Sequence, residues 1–269
     1  MINCESCPTN DKCLKDKEKC LVENNYLNEI KTVIGIASGK GGVGKSSLTV
    51  LIAKSLRKKG YSVGILDADI SGPSIPRLLN VEKERISTES DLLVPVVSKD
   101  KIKVVSLNLL TENEAQPVIW RGPILSNMVK QFWTNVLWGE LDYLLIDMPP
   151  GTTDIAITVM QEIPINGIVF ISVPQDLVSM VVSKSINMAK KMGIDVIGVI
   201  ENMSYLVCPD CHKQIRLFNS NNIDEFLKAM EIPLLGEIPM LSSISNLNSN
   251  NTYPDKDIDP IINKILAII

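Results

Sequence analysis

Short apolar segments rich in Val and Ile recur along the chain without alternating with polar residues. They lie at 33–37, 63–66, 104–107, 143–146, 168–173 and 196–200. Strands that are apolar on both faces are typical of a parallel sheet covered by helices on both sides. Helical spacing follows the first segment, at Leu48, Leu51, Ile52 and Leu56. The pattern predicts a doubly wound α/β fold with a mostly parallel sheet.

Three further segments refine this prediction. Residues 92–97 are expected to form a hairpin strand with 102–107. Residues 242–259 are rich in Ser, Asn and Asp and contain Pro254, which indicates a surface loop. Residues 260–269 follow as a mostly apolar helix whose only charge is Lys264. Because a membrane-surface anchor needs more basic residues, we expect this helix to dock on the sheet.

The composition divides the chain into a tail and a body. Residues 1–29 are rich in Lys, Asp, Glu and Asn and hold few large apolar residues. Such a segment cannot build a core unless a metal organises it. Residues 30–269 are predicted to form one domain, with a cysteine-containing insertion near 203–215.

Composition and charge exclude several classes of protein. The chain has 269 residues, 45% of them hydrophobic, and a net charge of −4. That charge argues against a nucleic-acid partner, which needs a concentrated basic face. No signal-like segment or long apolar run is present, so we expect a cytoplasmic protein without a membrane partner. In that compartment the six cysteines are expected to be metal ligands, catalytic thiols or small buried residues rather than disulfides.

The segment SGKGGVGKSS at 38–47 is the strongest chemical signal in the chain. It fits Gly-x-x-x-x-Gly-Lys-Ser between a predicted strand and a predicted helix, the context of a phosphate-binding loop. Its glycines allow successive N–H groups to surround phosphate oxygens at the positive end of the helix. Lys45 is predicted to bridge the β- and γ-phosphates, and the Ser46 hydroxyl to bind Mg²⁺. The predicted nucleotide-binding residues of the loop are Gly39, Lys40, Gly41, Gly42, Val43, Gly44, Lys45, Ser46 and Ser47.

Lys40 is a second lysine in this loop. Since one lysine suffices for the phosphates of its own subunit, the extra charge suggests a phosphate elsewhere, on a partner subunit. We therefore include Lys40 with Lys45 among the candidate catalytic residues.

Two strands end in carboxylates suited to nucleotide hydrolysis. Asp147 ends the apolar segment 143–146 and is the candidate for holding Mg²⁺ beside the loop. The turn at 148–154, MPPGTTD, is suited to sensing the γ-phosphate. Asp69 follows the segment 63–66 and is the candidate for orienting the attacking water. His212 is the only histidine, which makes a Ser-His or Cys-His triad improbable.

The cysteines form two groups. Cys208 and Cys211 lie on one tight loop and supply two thiols, whereas a thiolate site or a [4Fe-4S] cluster needs about four ligands. Either His212 and another group join them, or a second copy of the chain contributes its own pair. In the tail, Cys4, Cys7, Cys13 and Cys20 could hold a cluster or zinc within one chain.

Six motifs together carry a resemblance to a known family. They are GKGGVGKS at 39–46, DADISGPSIP at 67–76, WRGP at 120–123, DMPPGTTD at 147–154, ENMSYLVCPDC at 201–211 and LGEIP at 235–239. Over residues 31–269 the chain resembles the Mrp/NBP family of iron–sulfur cluster carrier ATPases. The deviant Walker A loop is similar to that of the wider MinD/ParA/nitrogenase-iron-protein group, and WRGP and the CxxC segment narrow the match. The tail resembles the cluster motif of the family's cytosolic scaffold branch, with Cys20 in place of an absent upstream cysteine.

The resemblance implies roles for individual residues. It implies a homodimer with ATP at the interface, in which Lys40 reaches the partner's nucleotide and Asp69 activates water. It further implies that Asn202 contacts adenine and that Cys208 and Cys211 bridge a [4Fe-4S] cluster across the two-fold axis. Two departures stand out, Thr153 in place of glycine and RLFNSN at 216–221 in place of a glycine-rich segment. They concern loop motion and the support of the cluster.

The predicted function is an ATPase that carries a [4Fe-4S] cluster to apo iron–sulfur proteins, with hydrolysis gating dimer geometry. One alternative is an ATP-dependent reductase that keeps the same bridging cluster for electron transfer. Another is a spatial-organising ATPase of the MinD/ParA type, against which stand the acidic charge, the cysteines and the missing basic anchor.

Overall fold

The structure is a computed structural model of the whole chain. It describes residues 21–70, 72–111, 122–174, 176–208, 210–216, 227–240 and 255–269. The tail residues Cys4, Cys7, Cys13 and Cys20 lie outside the described residues, as do Trp120 and Arg121 of the WRGP motif.

A mostly parallel sheet organises the described residues. The strands are β1 (Glu29–Ser38), β2 (Val63–Asp67), β3 (Ser87–Glu89), β4 (Leu92–Val94), β5 (Val96–Val97), β6 (Lys103–Val105), β7 (Glu140–Asp147), β8 (Gly167–Ser172), β9 (Val196–Glu201), β10 (Leu206–Val207), β11 (Gln214–Ile215) and β12 (Leu234–Glu237). Eight of them form one sheet in the order β12-β9-β8-β1-β7-β2-β6-β5. All neighbours in it run parallel except β5, which pairs antiparallel with β6.

Helices connect the parallel strands. They are α1 (Lys45–Lys58), α2 (Ile75–Leu78), α3 (Gly122–Thr134), α4 (Asp154–Glu162), α5 (Asp176–Lys191) and α6 (Asp255–Ile268), with a 3₁₀ turn at Leu107–Leu109. Strand β8 is buried along its whole length, as expected for a strand covered on both faces. The predicted doubly wound, mostly parallel fold is confirmed.

The strand order determines where polar residues can meet. Because parallel strands point the same way, their carboxyl ends lie along one edge of the sheet, where ligands of such folds bind. The residues at that edge are Ser38, Asp67, Asp147, Ser172 and Glu201. Asp67 and Asp147 are register partners on adjacent strands. Two carboxylates separated by many residues in the chain are thereby placed side by side.

The predicted hairpin of 92–97 is correct in one half. Val96 and Val97 pair antiparallel with β6, as expected. Strand β4 instead pairs with β3 in a separate two-stranded sheet. Pro95 lies between β4 and β5, and the chain changes partner there because proline cannot donate a ladder hydrogen bond. The apolar residues on both sides of Pro95 made residues 92–97 resemble one strand.

The final helix begins at Asp255 rather than at the predicted Pro260, so Pro260 lies inside it. The predicted loop at 242–259 therefore ends earlier, and its part at 242–254 lies outside the described residues. Proline is tolerated near a helix start because the first N–H groups have no partner within the helix. Because proline is common at helix starts, the sequence analysis placed the first residue of this helix at Pro260.

Helix α6 docks on the body, as predicted. Its apolar face is buried, with Ile258, Ile261, Ile262 and Ile265 at most 2% exposed. A Cβ added to Gly236 of β12 would lie 2.6 Å from Cγ1 of Ile261, so the glycine permits this close approach. Ser55 of α1 also donates to Asp259 at 2.7 Å. Among the described residues, no helix has the length and apolarity needed to cross a membrane.

The segment before β1 is held at the amino ends of the strands, opposite the edge that carries the carboxyl ends. The Val22 N–H donates to the Glu162 carbonyl at the end of α4, and Trp133 Nε1 donates to the Val22 carbonyl. Asn28 bonds to the Val136 carbonyl and the Gly139 N–H. Residues 21–28, part of the predicted tail, are thus attached to the body at the amino end of β1.

Replacing Ile262 by Ala tests the docking of α6. The side chain is fully buried, so the truncation is expected to lower the free energy of unfolding by about 2 to 5 kcal/mol. Urea unfolding followed by circular dichroism measures this loss. The matched control is Lys264→Ala on the exposed side of the same helix, expected to change stability by less than about 0.5 kcal/mol. Equal effects of the two changes would contradict the docked arrangement.

Candidate nucleotide site and cysteine hairpin

The glycines of the phosphate loop divide into an open pair and a packed pair. A Cβ added to Gly41 or Gly42 would meet no heavy atom within 4 Å, and both residues are exposed. By contrast, a Cβ on Gly39 would lie 2.9 Å from the Val182 backbone nitrogen of α5. One side of the loop is therefore packed against the protein and the other is open to a ligand.

Gly44 is required on two counts. Its φ of +84° lies in the left-handed region, which a side chain disfavours. A Cβ there would also lie 2.4 Å from Nδ2 of Asn202. The same Nδ2 donates to the Val43 carbonyl at 2.9 Å. Asn202, predicted to contact adenine, thus lies directly against the phosphate loop.

Asp147 is the fixed point of the site. It is fully buried at the end of β7 and forms an ion pair with Lys45 Nζ at 2.9 Å. Ser46 Oγ donates to its Oδ2 at 2.5 Å, and Thr49 Oγ1 donates to its Oδ1 at 2.9 Å. Both oxygens of the carboxylate are satisfied by residues 45–49 at the start of α1. The structure therefore brings together three residues predicted for phosphate and Mg²⁺ binding: Lys45, Ser46 and Asp147.

Asp69 lies at the same centre. Its Oδ2 is 3.5 Å from Lys45 Nζ, and its side chain is 14% exposed. Lys45 thus lies between two carboxylates, one fully buried and one partly exposed.

Asp67 is a buried carboxyl that the sequence analysis did not assign a role. Ser106 Oγ donates to its Oδ2 at 3.0 Å, whereas Oδ1 has no hydrogen-bond partner among the described residues. Burial, reinforced by the adjacent charge of Asp147, raises the pKa of Asp67 to about 8. The Asp67 carboxyl therefore keeps its proton at neutral pH.

The turn after β7 is attached to β1. The Met148 N–H donates to the Ile36 carbonyl at 3.0 Å, and the Gly151 N–H donates to the Ser38 carbonyl at 2.8 Å. Thr153, one of the departures noted in the sequence, is the N-cap of α4, and its hydroxyl accepts from the Ala156 N–H at 3.4 Å. The hydroxyl at 153 has a structural role, because Thr is a favoured N-cap residue.

Lys40 and Ser47 are two further loop residues predicted to bind nucleotide, and both lie beside this site. Lys40 is half-buried, and its carbonyl accepts from Ser38 Oγ at 3.0 Å. Ser47 is half-buried in the first turn of α1. The reach of Lys40 into a partner subunit stays a prediction.

Cys208 and Cys211 lie at the tip of a short hairpin formed by β10 and β11, at residues 206–215, which we name the cysteine hairpin. The Cys208 N–H donates to the Lys213 carbonyl and the His212 N–H to the Cys208 carbonyl, each at 3.0 Å. Backbone N–H groups of Cys211 and Asp210 lower the pKa of Cys208. Cys211 is exposed and Cys208 is half-buried. The hairpin therefore presents two thiols at its tip, and the lowered pKa of Cys208 favours its thiolate, the form that binds metals.

No group of three or more His, Cys, Asp or Glu residues is placed to hold a metal within the described part of the chain. The tail cysteines are not covered by this statement. Both ways of completing the Cys208 and Cys211 site, by His212 with another group or by a second copy of the chain, stay predictions.

The sequence analysis missed several residues. Thr49 carried a weak signal, since it lies four positions from Lys45 on the same helix face. Ser106 carried none, because its partner Asp67 is distant in the chain. Arg216 and Glu237 lie in the RLFNSN and LGEIP segments, but nothing in the sequence indicated that they pair.

A protein family described as the NUBPL iron-transfer P-loop NTPases, of the ParA group, matches residues 29–268. The chain belongs to this family. It is 47% identical over 255 residues to an iron–sulfur cluster carrier protein of Clostridium perfringens, covering 89% of each chain. It is 44% identical over 219 residues to a protein of Drosophila ananassae named cytosolic Fe-S cluster assembly factor Nubp2 homolog, covering 80% of this chain and 84% of the relative.

A solved structure supports the same assignment of fold and family. It is a nucleotide-binding protein from Archaeoglobus fulgidus in complex with ADP, with a TM-score of 0.72 and 40% sequence identity. The match covers 87% of this chain and 88% of that one. The resemblance inferred from the motifs is confirmed.

Asp67→Asn tests the protonation of this buried carboxyl. A folded-state pKa raised to about 8 means that stability is greatest below the unfolded pKa of about 4 and falls as pH rises toward 8. Asparagine resembles the neutral acid, so the variant should gain stability relative to the parent over that interval. Urea unfolding of the nucleotide-free protein at several pH values measures the difference.

Asp142→Asn is the control of opposite sign. Hydrogen bonds from Lys31 and Ser62 lower the pKa of Asp142 to about 2, so its contribution is present above about pH 4 and is lost toward pH 2. Its difference from the parent should be constant between about pH 5 and 8. A flat Asp67→Asn difference over that interval would contradict the protonated state.

Proposed function

We propose that this protein is an ATP-hydrolysing carrier that binds a [4Fe-4S] cluster between two copies of the chain and passes it to apo-proteins. One observation carries the proposal. Asn202 contacts the phosphate loop through the Val43 carbonyl. Cys208, at the tip of the cysteine hairpin, follows Asn202 by only six residues. A nucleotide site and a pair of metal-binding thiols are therefore joined by one short connection.

The chain's residues suit a nucleotide triphosphate. The open side of Gly41 and Gly42 offers backbone N–H groups to phosphate oxygens at the start of α1. Lys45 is the cation for the β- and γ-phosphates, and it leaves its ion pair with Asp147 to contact them. The buried Oδ1 of Asn202 has no hydrogen-bond partner among the described residues and is available to an amino group of the base.

Ser46 and Asp147 are the residues that would hold Mg²⁺. Their oxygens meet at 2.5 Å, and hydroxyl and carboxylate oxygens are the ligands that this ion prefers. The ion would supply charge neutralisation at the β- and γ-phosphates.

Hydrolysis needs a water placed in line with the bond that breaks. Asp69 is the partly exposed carboxylate next to Lys45, so it orients that water by accepting its hydrogen bond. The water oxygen bonds to the γ-phosphorus as the bond to the β-phosphate oxygen breaks, giving ADP and phosphate. Lys40, in the loop of one subunit, neutralises charge on the partner's nucleotide.

Cluster binding follows from the number of thiols. A [4Fe-4S] cluster takes four cysteine thiolates, and each cysteine hairpin supplies two. Two hairpins related by the two-fold axis of a homodimer complete the set. The cluster is cargo, and the exposed position of Cys211 lets an acceptor's thiolates replace these ligands.

The names of the relatives agree with a carrier, and the cytosolic relative agrees with a cytoplasmic location. Exposure of the cysteine hairpin favours the carrier over a reductase, which must keep its cluster. The cysteines also set it apart from a spatial-organising ATPase. The tail cysteines Cys4, Cys7, Cys13 and Cys20 are proposed to form a separate site, because four thiols within one chain match the number that a cluster needs.

Asparagine substitutions separate the two catalytic carboxylates. Asp69→Asn should lower the turnover number by about 10²-fold or more, with nucleotide affinity kept, because only water orientation is lost. Asp147→Asn should also weaken Mg²⁺-dependent nucleotide binding, since it removes the charge that holds the ion and Ser46. Phosphate release and calorimetric titration measure the two quantities. Equal losses of affinity in both variants would contradict this division.

Serine substitutions test the shared cluster. Cys208→Ser with Cys211→Ser should remove about four iron atoms per dimer after anaerobic reconstitution, with ATP binding retained. The matched variant carries serine at Cys4, Cys7, Cys13 and Cys20 and should keep the bridging cluster and pass it to an apo-ferredoxin. If the first variant kept its full iron content and the second bound no iron, the bridging site would be wrong.

A further inference from the structure

Arg216 holds the outgoing end of the cysteine hairpin. Its guanidinium donates to both carboxylate oxygens of Glu237, from Nη1 at 2.9 Å and from Nη2 at 2.7 Å. A two-pronged contact of this kind fixes orientation as well as distance. Arg216 follows β11 directly, and Glu237 ends β12 of the main sheet. The hairpin is thereby tied to the carboxyl edge of the sheet.

The incoming end of the hairpin is held at the same place. The Ser204 N–H donates to the Ile238 carbonyl at 2.9 Å, and its hydroxyl donates to the buried carboxylate of Glu201. Arg216 Nη1 donates to that hydroxyl at 3.4 Å, and its guanidinium lies 5.9 Å from the centre of the Tyr205 ring. Arg216 therefore bridges the incoming segment and β12.

The incoming segment also continues to the phosphate loop. Asn202 contacts the Val43 carbonyl. Met203 has a φ of +55°, a conformation that costs a residue with a side chain about 1 kcal/mol. Surrounding contacts must hold this turn in place. Met203 is the only residue between Asn202 and Ser204, so a displacement of Asn202 would act directly on the segment that Arg216 holds.

Without Arg216, the outgoing strand would depend on the hairpin's own pairing. That pairing joins Leu206 with Ile215 and Val207 with Gln214, and a two-stranded hairpin of this size is at best marginally stable in water. The tip that bears the two thiols could then move independently of Asn202.

We propose that Arg216 is a positioning residue that couples nucleotide binding at the phosphate loop to the exposure of Cys208 and Cys211. A base that contacts Asn202 alters its contact with Val43 and shifts the turn at Met203 and Ser204. Because Arg216 joins Ser204 to Glu237, the hairpin moves as one body with that turn. The role of the thiols as cluster ligands rests on the proposed function, whereas the coupling can be tested without any cluster.

The test measures alkylation of the thiols in the full-length apo-protein under anaerobic conditions. Iodoacetamide labelling is followed by peptide mass spectrometry, which separates the peptide holding Cys208 and Cys211 from the tail cysteines. In the parent, a Mg²⁺-bound non-hydrolysable ATP analogue should change the labelling rate of that peptide about fivefold or more. In Arg216→Ala the rate should be the same with and without nucleotide, with nucleotide affinity retained.

Three variants serve as controls. Lys213→Ala removes a cation from the same hairpin and should keep the parent response. Arg216→Lys keeps the charge but not the two-pronged contact, so it should lose most of the response. Glu237→Gln keeps the shape and one hydrogen bond of the acceptor, and should lose part of the response even if Arg216→Ala disorders the hairpin.

Two outcomes would overturn the coupling. One is a parent labelling rate that nucleotide does not change, and the other is a full nucleotide response in both Arg216→Ala and Glu237→Gln. Neither outcome would contradict the carrier function, because that function is tested separately by the iron content of the variant that lacks Cys208 and Cys211.

Discussion

The buried carboxylate of Asp147 is the group on which the nucleotide site depends. A charge without access to water is tolerated only when paired and hydrogen-bonded, and here Lys45, Ser46 and Thr49 supply those contacts. All three lie within the first five residues of α1, so the contacts fix the helix start against the end of β7. The phosphate loop between β1 and α1 is thereby held at both ends, with its open glycines facing outward.

The same edge of the sheet explains the state of Asp67. Parallel register places Asp67 beside Asp147. Two buried carboxylates on neighbouring strands cannot both be charged at low cost. Lys45 compensates the carboxylate with which it is in contact, and the other keeps a proton. Lys45 can then exchange its ion pair with Asp147 for a phosphate of the ligand.

The position of the cysteine hairpin follows from the end of β9. Glu201 and Asn202 lie at the carboxyl edge beside the phosphate loop, and the chain then leaves the sheet as a hairpin. The thiols are therefore both close to the nucleotide and accessible to another molecule. Residues 21–28 are attached at the opposite edge, so the tail and the hairpin leave the body from different places.

The sequence alone determined the features whose chemistry is local. The glycine spacing, the Lys45–Ser46 pair, Asp69 and Asp147 after apolar strands, and the Cys208–Cys211 pair are local features. Each lies within a short segment whose residue types are dictated by backbone conformation or ligand chemistry. Tertiary structure alone decided the neighbours of those segments. Thr49 with Asp147, Ser106 with Asp67, and Arg216 with Glu237 join residues on different elements. The pairing in such contacts cannot be read from a single sequence, because it depends on strand order and register rather than on local conformation.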